Sequence, residues 1–199
     1  MHRTFAWIVL SLLLTAPAVL AADEPAPAAP ATGKPALLVM DIQNAYLPYM
    51  DAKTKDISLY MINAAIDLFR ANGCPVIRVY HTDPKEGPPP GTEPFEFPAS
   101  VHIRADDPKV VKNFPSAFKK TDLEKILRDR GCDTVFICGL SAVGCALAPY
   151  FDARGLDLNT FMVKDALMSH RADLTRSVEE ITEAVGYDAI TYMVARPSK

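Results

Sequence analysis

The chain has 199 residues, a formal net charge of −3 and a near-even balance of 21 basic and 24 acidic side chains. That mild acidity leaves no electrostatic footprint for nucleic acid or an anionic membrane surface. The length allows a single domain with a substantial core, and no internal repeat or run of like charge divides it.

The first 22 residues read as a secretory signal peptide. Arg3 supplies the positive start, Phe5 to Leu14 is almost unbroken apolar sequence, Pro17 interrupts it, and Ala21 and Ala22 offer a cleavage site. The apolar run is too short for a spanning anchor, and no cysteine lies near the cleavage site for lipid attachment. Residues 23–34 are rich in Pro and Ala and read as a disordered lead-in. The expected mature protein is therefore one domain over 35–199, exported to the periplasm or secreted. Without Arg3 its formal charge becomes −4, one less than −3.

Ala36 to Asp41 is a continuous apolar run closed by an acid, the pattern of a parallel strand buried on both faces. Ile57 to Ala71 places Leu59, Ile62, Ala65, Ile66 and Phe69 at helical spacing and stops at Asn72-Gly73. Pro75 to Tyr80 is a second strand, ending at His81. Thr82 to Ser100 carries six prolines and little periodicity, which marks a functional or mobile loop. Thr121 with Glu124 forms a capping-box pattern for a helix ending at Gly131.

Thr134 to Cys138 is a third strand. It meets Gly139, a turn of small residues and then Cys145 at the start of a helix that stops at Gly155. Pro149, one turn into that helix, is expected to bend it. Asn159 to Val163 is a fourth strand, Asp173 begins a helix to about Val185, and Ala189 to Val194 reads as a last strand. Alternating strands and helices with short connections predict a three-layer α/β/α sandwich with a mostly parallel, Rossmann-like sheet flanked by helices. Ligands in such sheets bind at the carboxyl ends of the strands.

Four cysteines in an exported chain invite disulfides. Their positions argue for free thiols instead. Cys138 lies inside a strand and Cys145 at its elbow, while Cys74 and Cys132 each follow a helix-ending glycine and lie too far apart to bridge unless their strands are neighbours. Cys145 stands where unpaired N–H groups and a helix dipole would favour a thiolate; its alternative is a buried, inert thiol. A nucleophilic thiol needs a base and a positive partner. Asp41, at the end of the first strand, and Lys112, between hydrophobic residues, are the candidates. Each also has an ordinary reading, Asp41 as a turn residue and Lys112 as a snorkelling surface lysine.

Three stretches together resemble the isochorismatase-like cysteine hydrolases, the superfamily that includes nicotinamidases: Leu38 to Asn44, Val111 to Phe118, and Cys138 to Cys145. The resemblance covers the whole domain, in order and spacing. It implies a triad of Asp41 as general base, Cys145 as nucleophile and Lys112 as charge stabiliser, with backbone N–H groups of Ser141 and Cys145 as the oxyanion hole and a cis peptide at Leu140–Ser141. It implies hydrolysis of a small non-peptide substrate, most directly at an amide C–N bond through an acyl enzyme on Cys145. The alternatives are a vinyl-ether hydrolase on the same fold and a non-catalytic binding module that kept the fold. Such a triad requires Asp41 or Lys112 within about 5 Å of the sulfur.

The departures from the family pattern are Ala142, where Thr is frequent, and the small Gly144 and Ala146 on either side of the nucleophile. Nicotinamidases also carry a metal site of one Asp and several His. Here only His81, Asp83 and the distant His102 are available, a poor ligand set, so neither metal nor other cofactor is expected. Tyr46, His81 and Phe97 are candidate substrate-binding residues. The partner implied is a small molecule, not nucleic acid, with no membrane attachment after signal cleavage. Homo-oligomers are common in this superfamily, and the sequence does not fix the state here.

Overall fold

A computed structural model describes residues 34–195. The expected signal peptide over 1–22 lies outside the described residues, as does all of the expected lead-in except Lys34, which already belongs to the first strand. In order, the elements are β1 (Lys34–Met40), α1 (Lys55–Ala71), β2 (Val76–His81), β3 (Lys109–Lys112), α2 (Leu123–Arg128), β4 (Cys132–Leu140), α3 (Leu147–Gly155), β5 (Asn159–Met168), α4 (Ala172–Ile181) and α5 (Tyr187–Val194).

The five strands form one parallel sheet in the order β3-β2-β1-β4-β5. The first strand is central and its side chains alternate between two cores. Leu37 and Val39 join Ile62, Ala65, Ile66 and Phe69 of α1 and Ile190 and Val194 of α5 on one face. Ala36, Leu38 and Met40 join Leu123 and Leu127 of α2, Ala153 of α3 and Val178 of α4 on the other. Burial on both faces explains the unbroken apolar runs of β1 and β4. The three-layer architecture follows directly.

Two elements differ from the sequence reading. Lys109–Lys112 is a strand, a short edge strand whose alternating burial was hidden behind the proline-rich segment. Ala189 to Val194 is helical, part of α5. Its β-branched and aromatic residues favour strand locally, but Ile190 and Val194 are four apart and bury together against α1, and packing overrides propensity.

Other differences are local. The capping box does not form: the Thr121 hydroxyl accepts the N–H of Leu123 at 3.2 Å, while Glu124 turns to Arg128. The helix opened by Asp173 ends at Ile181. All four cysteines are free. Cys74 precedes β2 and Cys132 opens β4, and those strands flank β1 on opposite sides, which keeps the two thiols apart.

The proline-rich loop is tied down. Phe95 stacks on Tyr80 with ring centroids 4.9 Å apart. Asn44 and Ala45 donate their N–H groups to the carbonyls of Glu96 and Pro94, both at 2.9 Å.

Candidate active site

Four adjacent strands deliver side chains to one point at the carboxyl edge of the sheet. Asp41 follows β1 directly. Its backbone takes a left-handed conformation (φ 51°), a region that Asp tolerates better than most residues. Its N–H donates to Val79 of β2 at 2.9 Å, and its carbonyl accepts from Gln43 at 2.7 Å. Lys112 ends β3 and His81 ends β2; the two are register partners, so their side chains share a face.

Cys145 lies in a wide turn after β4. There Ala146 donates to the carbonyl of Ser141, five residues back, at 3.1 Å, and the regular helix α3 begins only at Leu147. The peptide Leu140–Ser141 is cis. Pro149 is therefore the third residue of α3. At that position a helix N–H has no partner within its own helix, so Pro149 marks a start instead of the expected bend.

Gly139 makes the elbow possible. Its φ is +110°, and a Cβ there would sit 2.2 Å from the carbonyl oxygen of Met40, the residue before Asp41. Only glycine lets the strand carrying the thiol approach the strand carrying the carboxylate this closely.

The Lys112 ammonium donates to Asp41 Oδ2 at 2.7 Å, with both side chains almost wholly shielded from solvent. It also meets His81 Nδ1 at 3.3 Å. Asp41, His81 and Cys145 each bring one side-chain atom to within 4.8 Å of the others, so the thiol sulfur lies inside the separation a triad requires. The second carboxylate oxygen, Asp41 Oδ1, is buried without a hydrogen-bond partner.

Burial sets the protonation states here. It lifts the Asp41 carboxyl to about 6 although Lys112 opposes the shift. Burial, and then the Asp41 charge, push the Cys145 thiol up to about 11, with Lys112 pulling it back. The expectation of a resting thiolate at a helix N-terminus is thus corrected: the helix starts two residues later and desolvation wins. At neutral pH the Asp41 carboxyl is therefore ionised and the Cys145 thiol neutral. His81 is pushed down to about 4 by burial and by Lys112, so its ring is neutral and Nδ1 is free to accept from the ammonium.

Of the residues expected to bind substrate, Tyr46 and His81 come to the cluster. Their rings are 6.1 Å apart, and the Tyr46 hydroxyl is lifted to about 12 by burial and by Asp41, Cys145 and Asp83. Phe97 does not. Its ring packs 4.5 Å from that of Tyr80, and Tyr80 points to the opposite face of β2 from His81 by strand alternation. Gln43 is the residue sequence reasoning passed over. Its buried side-chain amide donates to the His81 carbonyl at 2.9 Å and accepts the His81 N–H at 2.7 Å, fastening β1 to β2 beside the site. Its place two residues after Asp41 was the available signal. A shallow cleft of about 340 Å³ bounded by Arg154, Asp157 and Thr160 lies at the amino end of β5, away from this chemistry.

The residues do not suit a metal ion. Among the described residues, Asp41, His81 and Cys145 are grouped closely enough to ligate one, but the Lys112 ammonium already bonds two of these three groups and would repel a cation. His102 is paired with Asp67 of α1 instead.

The parallel α/β sandwich thus brings a buried Asp–Lys pair to a thiol on a strand–turn elbow. Residues 35–186 match the family model described as Isochorismatase domain, and the chain belongs to the isochorismatase family. It is 34% identical over 117 residues to the isochorismatase family protein YddQ of Bacillus subtilis, a match covering 55% of this chain and 64% of that protein. It is 27% identical over 160 residues to a maleamate amidohydrolase of Pseudomonas putida, covering 70% of this chain and 75% of the relative. Among solved structures, a candidate isochorismatase from Burkholderia xenovorans superposes with a TM-score of 0.72 at 27% identity, over 80% of this chain and 86% of that one. N-carbamoylsarcosine amidase from Thermoplasma acidophilum does so at 0.67 and 25%, over 77% and 95%.

Proposed function

We propose that this isochorismatase-family hydrolase cleaves an amide C–N bond of a small non-peptide substrate through a covalent intermediate on Cys145. The observation that carries the reading is the buried Lys112–Asp41 pair with one carboxylate oxygen unpartnered beside the thiol. The amidases among the similar proteins support the choice of bond.

In this reading Asp41 Oδ1 takes the thiol proton as the sulfur attacks the carbonyl carbon, and Lys112 holds the charge that develops on sulfur. The N–H groups of Ser141 and Cys145 receive the oxyanion. The C–N bond then breaks as Asp41 returns the proton to the leaving amine, leaving a thioester on Cys145. Water attacks the thioester, giving its proton to Asp41, and the thiol is re-formed as the carboxylic acid departs.

The test is a panel of small primary amides with ammonia release as readout and intact mass as the check for an acyl adduct. An adduct mapped to Cys145, with turnover reduced at least about a thousandfold in Cys145→Ala, is expected. Undiminished turnover in that variant refutes the covalent route.

A further inference from the structure

Resting on the reading above, we propose that His81 is a positioning residue for Lys112, itself held by Gln43, and that its Nδ1 acts as a second acceptor that keeps the ammonium off one oxygen of Asp41.

A lysine ammonium has three donors and no preferred plane. Alone in a buried site with one carboxylate, it gains most by sharing itself between both oxygens, which would occupy the base. The arrangement here is different. Lys112 bonds Oδ2 at 2.7 Å and turns a second donor to His81 Nδ1 at 3.3 Å, while Oδ1 stays buried and unbonded. The His81 main chain is fixed from behind, because the Gln43 side chain donates to its backbone carbonyl and accepts its backbone N–H.

The chemistry also fixes the tautomer. An ammonium can only donate, so Nδ1 must be the bare nitrogen and the proton of the neutral ring sits on Nε2. Lys112 from β3 and Cys145 from the turn after β4 act on Asp41, His81 from β2 lies within 4.8 Å of it, and Tyr46 from the segment after β1 feels its charge; Asp83 acts on Tyr46 and His81 in turn.

The experiment is the pH dependence of Cys145 alkylation by iodoacetamide, which needs no amide substrate and so remains decisive whether or not any amide is turned over. His81→Leu removes the second acceptor; His81→Asn restores one, since Asn Oδ1 sits at the same depth as His Nδ1. In His81→Leu, Lys112 settles on both carboxylate oxygens, the acid limb of the alkylation profile moves down by about one pH unit, and the rate at pH 7.5 falls about tenfold. His81→Asn keeps the wild-type limb and most of the rate. If His81→Leu does not fold, Gln43→Met carries the same test: it frees the His81 main chain, and the limb moves the same way with a rate loss of about threefold. A limb that stays in place in the folded variants, or an Asn variant no better than Leu, overturns the proposal.

Discussion

Replacing Lys112 by Met keeps most of the length of the side chain and deletes its charge. The pair it breaks is buried, with the two side chains 0% and 2% exposed. Removing one partner of such a pair leaves an uncompensated charge worth several kcal/mol, which the protein relieves by taking up a proton. In the wild type Asp41 already stands at about 6 against an ordinary 3.8. An acid raised in this way binds its proton more tightly when folded, so it lowers stability progressively as pH climbs from 3.8 through the folded value, by about 3 kcal/mol in all. Above about pH 6.5 the wild-type contribution is flat.

In Lys112→Met the opposing charge is gone, the folded value rises further, and the decline continues into the neutral range at about 1.4 kcal/mol per pH unit. Urea unfolding followed by circular dichroism at pH 5, 6, 7 and 8 reads this directly. The variant is expected to match or exceed the wild type at pH 5, where Asp41 is protonated, and to fall steadily behind it from pH 6.5 to 8. Parallel stability curves over that upper interval would refute a desolvated Asp41 held ionised by Lys112.

Amide turnover should show an acid limb near pH 6 in kcat/KM, lost as Asp41 protonates, and a profile flat down to pH 5 would exclude Asp41 as base. Gly139→Ala should destabilise the fold by about 3 kcal/mol or more in thermal unfolding, because the new methyl meets the Met40 carbonyl and φ is positive; the soluble fraction should also lose Cys145 reactivity. Gly144→Leu should change stability by less than about 1 kcal/mol, since nothing lies within 4 Å of the added Cβ. It should raise KM selectively for bulkier amides, and an equal effect on the smallest amide would argue that Gly144 does not border the substrate.

The central strands were readable because burial on both faces leaves short, continuous apolar runs such as Ala36 to Met40. The elbow was readable because a buried strand, Gly139, small residues and Cys145 occur in one run. The edge strand β3 was not: four residues with one face exposed give too short an alternation to mark a strand around Lys112. The last element failed for the opposite reason. Ile190, Thr191, Tyr192 and Val194 carry a strong strand preference that the packing of Ile190 and Val194 against α1 reverses. At the site, sequence position brought Asp41, Lys112 and Cys145 together, but not their protonation. Whether a thiol at a turn is charged depends on how much water the neighbouring layers exclude, and that is a property of the assembled sheet. The Gln43–His81 latch was invisible for a related reason, since residues 38 apart meet only through the pairing of β1 with β2.

The four cysteines give the molecule its own folding gauge. Cys74, Cys132 and Cys138 are buried, and Cys145 alone is partly open. A brief pulse of thiol label therefore marks at most one sulfur on each native chain and four on each unfolded one, so the mass distribution counts the two populations without a dye or an engineered probe. The single accessible sulfur also depends on four strands, with partners 104 positions apart from Asp41 to Cys145. Its labelling rate consequently reports something the count does not: that the sheet has closed in register, and not merely that the chain has collapsed.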